Sequence, residues 1–120
     1  METPIPQVWL EPVLRILREG KFVRDILVPE RVRNDWDAGS LGTAFLWDLR
    51  EPIIQALSAE GVIGKHQPDQ PEPGETYAFW FHYRVAGRDR KFYGKICLYP
   101  DKVRIKLISA HLPDKGEKFL

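Results

Sequence analysis

The stretch from Thr76 to His111 constrains this chain more than any other. It reads as three consecutive antiparallel strands, TYAFWFHYRVAG, RKFYGKICLYP and KVRIKLISAH, with short turn-like breaks between them. Neighbouring side chains in a strand point to opposite faces, so a period of two separates core from surface. The first run sets Tyr77, Phe79, Phe81, Tyr83 and Val85 against Trp80, His82 and Arg84. The second sets Phe92, Gly94, Ile96 and Leu98 against Lys91, Tyr93, Lys95, Cys97 and Tyr99. In the third, Val103, Ile105 and Leu107 oppose Arg104 and Lys106. A sheet built this way has one apolar face and one face of cations, aromatic rings and histidine, a surface suited to a phosphate-bearing partner.

What precedes the strands reads as helical. Val13, Leu14, Ile16 and Leu17 predict a short amphipathic helix with Pro12 in its first turn and Gly20 as its stop. Residues 21–29 read as a strand or extended segment, after which Pro29 opens a helix through ERVRNDW and Asp37, Gly39, Ser40 and Gly42 mark a loop. TAFLWDLREPIIQALSAEG predicts the clearest helix, capped by Thr43 and ended by Gly61, with a stripe of Phe45, Leu46, Leu49, Ile53 and Leu57. Pro52 lacks a backbone donor and predicts a kink or restart there. The expected organisation is a single domain of 120 residues: a helical segment over residues 1–63, an acidic proline-rich loop 64–75, an antiparallel sheet 76–111 and a tail 112–120. Helices first and strands afterwards make it an α+β fold, N-terminal helices packed on a three- to four-stranded antiparallel sheet. Phe119 and Leu120 are expected to fold back onto the core or to engage a partner.

Composition narrows the setting. No apolar run approaches the roughly 20 residues that cross a bilayer, and METPIPQVW lacks the basic and apolar regions of a secretion signal. The single cysteine, Cys97, rules out an internal disulfide framework and fits a reducing compartment, so a cytoplasmic location without membrane attachment is expected. Net charge is only +1, but residues 1–75 hold 8 Lys and Arg against 13 Asp and Glu, while residues 76–120 hold 10 against 4. Such a split points to an anionic partner, or alternatively to attraction between the two halves of one fold.

No GxxxxGK[ST], GxGxxG or HExxH pattern is present, and three scattered histidines with one cysteine do not make a zinc site, so no cofactor or metal is expected. The cations Arg84, Arg88, Arg90, Lys91, Lys95, Arg104 and Lys106 suit phosphate binding, and Trp80, Tyr93 and Tyr99 suit stacking on unpaired bases. His82 in mid-strand and His111 at a strand end are candidate general bases near neutral pH.

The segment FYGKICLYPDKVRIKLISAHLP resembles the sheet of small bacterial ribonuclease toxins of the RelE type and their barnase-like relatives. The likeness covers about the last 45 residues and implies helices before a sheet whose basic face holds RNA. It also implies metal-independent cleavage in which the RNA's own 2′-hydroxyl is the nucleophile. On that likeness His111 or His82 would act as base or acid, and Lys95, Arg104 and Arg84 would stabilise the phosphorane. Tyr93 would stack or donate a proton. An RNA-binding domain with this activity is the expected function, with RNA and a cognate protein, an antitoxin or immunity protein, as partners. The rival expectation is a non-enzymatic interaction module of the immunity or antitoxin kind, meeting a basic protein through Glu30, Asp35, Asp37 and Asp48.

Overall fold

The computed structural model describes residues 2–113. In chain order it contains β1 (Thr3–Pro4), α1 (Gln7–Glu19), β2 (Ile26–Leu27), α2 (Glu30–Gly39), a 3₁₀ turn (Leu46–Leu49), α3 (Arg50–Ser58), β3 (Ile63–His66), β4 (Glu75–Val85), β5 (Arg88–Leu98) and β6 (Ile105–His111). The α+β class holds, but the sheet is larger than expected. It has six strands in the order β1-β3-β4-β5-β6-β2, all antiparallel except β2, which runs parallel to β6. The extra strands are two to four residues long, too short to show a period of two. Nor do all the helices precede the sheet, since β1 comes before α1 and β2 lies between α1 and α2.

Pro12 does not fall in a first turn, whereas the restart expected near Pro52 is present. Pro12 sits inside α1, which starts earlier, at Gln7. Pro52 occupies the first turn of α3, where its missing donor would lack a partner anyway. The helix expected from Thr43 is replaced by a 3₁₀ turn that restarts as α3. Its N-terminus is held by Asp48, whose carboxylate accepts from the Phe45 N–H at 2.7 Å, while the Thr43 hydroxyl donates to Ser40 O. The loop read at 64–75 shortens to 67–74 because β3 takes its first residues. Helix α2 continues through Asp37 to Gly39, two residues that read as loop in the sequence.

Inner and outer sides of the long strands follow the alternation. Phe79, Phe81, Phe92, Ile96, Ile105 and Leu107 are buried with Trp9, Val13, Trp36, Ile53 and Leu57 of the helices in one core. Fully burying a side chain of this size contributes roughly 1.5–3 kcal/mol. Trp36 of α2 is the largest contributor: its ring centroid lies 4.9 Å from Tyr83, 5.2 Å from Phe92 and 6.4 Å from Phe81. Its indole N–H donates to Phe45 O at 3.0 Å, so no polar atom of that ring is stranded. At the opposite end Trp9 of α1 meets Tyr77 edge-on at 5.1 Å and donates to Glu75 O at 2.8 Å. Val103, expected inside, is exposed because β6 starts only at Ile105.

Gly94 of β5 makes room for the rings of Phe79 and Phe81. A Cβ there would stand 2.8 Å from Phe79 Cε2 and 3.1 Å from Phe81 Cδ1. Gly94→Ala is therefore expected to displace both rings and lower stability by about 1–3 kcal/mol, read as a reduced urea midpoint at unchanged slope.

Candidate nucleic-acid interface

The outer side of the sheet carries the residues singled out in sequence, and cross-strand register decides which of them meet. Trp80 of β4 faces Tyr93 of β5, and Tyr93 faces His111 of β6. Ring centroids are 5.5 Å apart for Trp80–Tyr93 and 5.4 Å for Tyr93–His111, so three rings form a row across three strands. Lysines stand on both sides of Tyr93 along β5: Lys91 Nζ lies 4.6 Å from the Trp80 ring centroid and Lys95 Nζ 5.6 Å from that of Tyr93. Both are cation–π distances. The next row runs Lys65, Ala78, Lys95, Ser109. Its two small side chains, Ala78 and Ser109, are buried, and the two lysines are half-buried.

His111 reaches this side only because β6 contains one extra residue. Lys95 faces Ser109 while Ile96 faces Leu107, so Ile108 is a bulge. Before it Ile105 and Leu107 point inward; after it Ala110 points inward opposite Gly94, and Ser109 and His111 point outward. Unbroken alternation would have put His111 on the side of Leu107. Arg31 of α2 secures the irregularity by donating to Ile108 O at 2.9 Å. The His111 ring is oriented in turn by its own backbone neighbour: Nδ1 lies 2.7 Å from Leu112 O. A carbonyl only accepts, so in the neutral ring Nδ1 carries the proton and Nε2 the lone pair.

Other candidates lie outside these two rows. His82 occupies the row beyond Trp80, opposite Lys91, with Nδ1 3.0 Å from Asp89 Oδ2 and both side chains largely exposed (58% and 61%). Arg84 lies further towards the β4–β5 hairpin, opposite Asp89. Lys106 is opposite Cys97, one row past Lys95. Arg104 and Tyr99 belong to the β5–β6 turn, where the guanidinium sits 5.0 Å from the Tyr99 ring and bonds Asp101 at 2.9 Å. Tyr99 is six residues along the chain from Tyr93, about 20 Å at roughly 3.3 Å per residue. Arg104 is thus not brought to the row containing His111. Lys65 joins the row without having been singled out, because a four-residue strand is too short to announce its faces. The candidate tail residues Phe119 and Leu120 lie outside the described residues.

Ion pairs Arg24–Asp25, Arg31–Asp35, His66–Glu75, His82–Asp89 and Arg104–Asp101 each join partners from the same half of the sequence. No group of three or more His, Cys, Asp or Glu side chains suited to a metal ion occurs among the described residues, and no helix there is long and apolar enough to cross a membrane.

Comparison of the chain with protein-family models, with curated proteins and with solved structures finds no match.

Cys97 has a packing environment rather than a reactive one. It is buried between Thr76 and Lys106 in its row and covered by the 67–74 loop, since a Cβ on Gly74 would stand 3.0 Å from Cys97 Sγ. Burial is the main cause that pushes its thiol above the usual value of 9.0, opposed by the Thr76 hydroxyl. A thiol raised in the folded state ionises first in the unfolded chain, so its contribution is complete below about pH 9 and is lost as pH rises further. Stability is expected to fall across that alkaline window, and Cys97→Ala to remove that component of the slope, measured as urea midpoints from pH 7 to about pH 10.

Proposed function

We propose that the outer side of the sheet binds single-stranded RNA. The row Trp80–Tyr93–His111, bracketed by Lys91 and Lys95, is the observation that carries this reading. Aromatic rings on a sheet face stack on unpaired bases whatever their identity, and lysines beside them neutralise the connecting phosphates. Lys65 and Lys106 extend the cationic track on either side.

The same row is composed for 2′-hydroxyl transesterification, the activity implied by the toxin resemblance. His111 Nε2 takes the 2′-hydroxyl proton and the oxygen attacks phosphorus. The bond to the 5′ oxygen breaks, and that oxygen takes a proton from the Tyr93 phenol. Lys95 offsets the charge gathering on the non-bridging oxygens. His82 lies one row away beside Asp89 and has no role in this arrangement.

Fluorescence anisotropy with an RNA of about 8 nucleotides tests the binding. Tyr93→Ala is expected to weaken it about tenfold or more, from the 1–3 kcal/mol that a stacked base contributes. Lys95→Gln should reduce the salt slope by about one, while Arg104→Gln leaves affinity unchanged. Equal affinity in wild type and Tyr93→Ala sinks the reading. Cleavage is scored separately, by a 2′,3′-cyclic phosphate and a 5′-hydroxyl among the products, lost in His111→Ala with binding retained.

A second reading, a protein-interaction module, has its own support in the acidic half. Phe45 and Trp47 stack at 4.8 Å and 12° while remaining 63% and 61% exposed. Phe45 borders a recess of about 480 Å³ lined by Glu30, Arg33, Asp37 and Ala44. Under this reading Trp47→Ala abolishes capture of one basic partner protein in a pull-down, and the sheet lysines are irrelevant to it.

A further inference from the structure

The outer side of the sheet does not end at the row of Lys95. One row further on stand Thr76, Cys97 and Lys106, and residues 67–74 lie over them. The cover is close: a Cβ on Gly74 would fall 2.0 Å from Leu98 O, so only glycine fits there. Beneath it Thr76 is 1% exposed and Cys97 fully buried, although both belong to the side turned away from the helices.

The covering segment is chemically unlike the strands it crosses. QPDQPEPG holds two carboxylates, Asp69 and Glu72, and no cation, whereas β5 and β6 carry Lys91, Lys95 and Lys106. Beyond burial, Glu72 pushes the Cys97 thiol up and Lys106 pulls it down, so both charges bear on the covered row. Little fastens the segment. Its three prolines have no N–H to give. Among the described residues its backbone-to-backbone bonds run from Gln67 N–H to Thr76 O at 2.9 Å and from Gln70 N–H to Gln67 O at 3.4 Å. His66 and Glu75, 2.6 Å apart, close its base. The seal is also imperfect. The Thr76 hydroxyl finds no hydrogen-bond partner, its neighbour being the Cys97 thiol, a weak acceptor. A buried orphan hydroxyl regains water when its cover lifts, which lowers the cost of opening.

We propose that residues 67–74 form a strap over the last position of the RNA track, and that Glu72 stands there in place of a phosphate beside Lys106. RNA then binds the form in which the strap has lifted, a role that rests on the RNA reading of this side of the sheet. Successive rows are two residues apart, about 6.6 Å at roughly 3.3 Å per residue, so the covered row continues the same track. While closed, the acidic strap repels phosphates; when it lifts, Lys106 is uncovered. The observed affinity is that of the open form reduced by its population.

Cys97 is the only cysteine, so its labelling by Ellman's reagent reports the lifting of the strap. In the full chain, labelling is expected to depend little on low urea concentrations, the mark of a local opening. Thr76→Val, which removes the orphan hydroxyl at nearly constant shape, should slow labelling about fivefold or more. Glu72→Gln should tighten binding of the 8-nucleotide RNA about two- to fivefold and keep its dependence on Tyr93. Labelling that occurs only through global unfolding overturns the strap, and so does Thr76→Val labelled as fast as wild type. RNA that needs Tyr93 yet binds wild type and Glu72→Gln equally overturns the strap while RNA binding by the sheet stands. RNA bound by neither protein overturns both.

Discussion

The wedge of Trp36 between Tyr83, Phe92 and Phe81 decides which side of the sheet is inside. Helix α2 comes close enough to make this contact only because Gly39 has no side chain, a Cβ there falling 2.7 Å from Phe92 Cε2. Once the helices are committed to that side, every residue of opposite parity in β4 and β5 faces away from the core. The same helix supplies Arg31, which holds the carbonyl of the extra residue in β6. Burial on one side and the composition of the other are thus two results of one packing event.

Parity in the long strands was legible because eleven residues give alternation room to repeat. Phe79, Phe81, Phe92 and Ile96 were assignable to the core, and Trp80, Tyr93 and Lys95 to the surface, from spacing alone. The short strands were not legible, because two to four residues carry no period. Nor did the prolines reveal their positions. Whether Pro12 or Pro52 falls in a first turn depends on where each helix begins, and that is settled by tertiary and local contacts such as Trp9 with Tyr77 and the Asp48 carboxylate with the Phe45 amide.

The site divides along the same line. Grouping by residue type gathered Arg104 and Tyr99 with Tyr93 and His111, but type carries no information on distance along a strand, and the turn keeps that pair about 20 Å away at roughly 3.3 Å per residue. His111 was named for its place at a strand end, yet its orientation depends on the bulge at Ile108. Nothing in LISA distinguishes a bulged residue from a paired one, because all four side chains fit either situation. Lys65 carries no sequence signal for the same reason that β3 does not: four residues hold no period.

The division of charge along the sequence has an electrical consequence. The molecule is close to neutral while residues 1–75 and 76–120 carry opposite net charge, so an external field turns it more than it pulls it. Such a chain is oriented at a charged surface without the indiscriminate adhesion that a high overall charge brings.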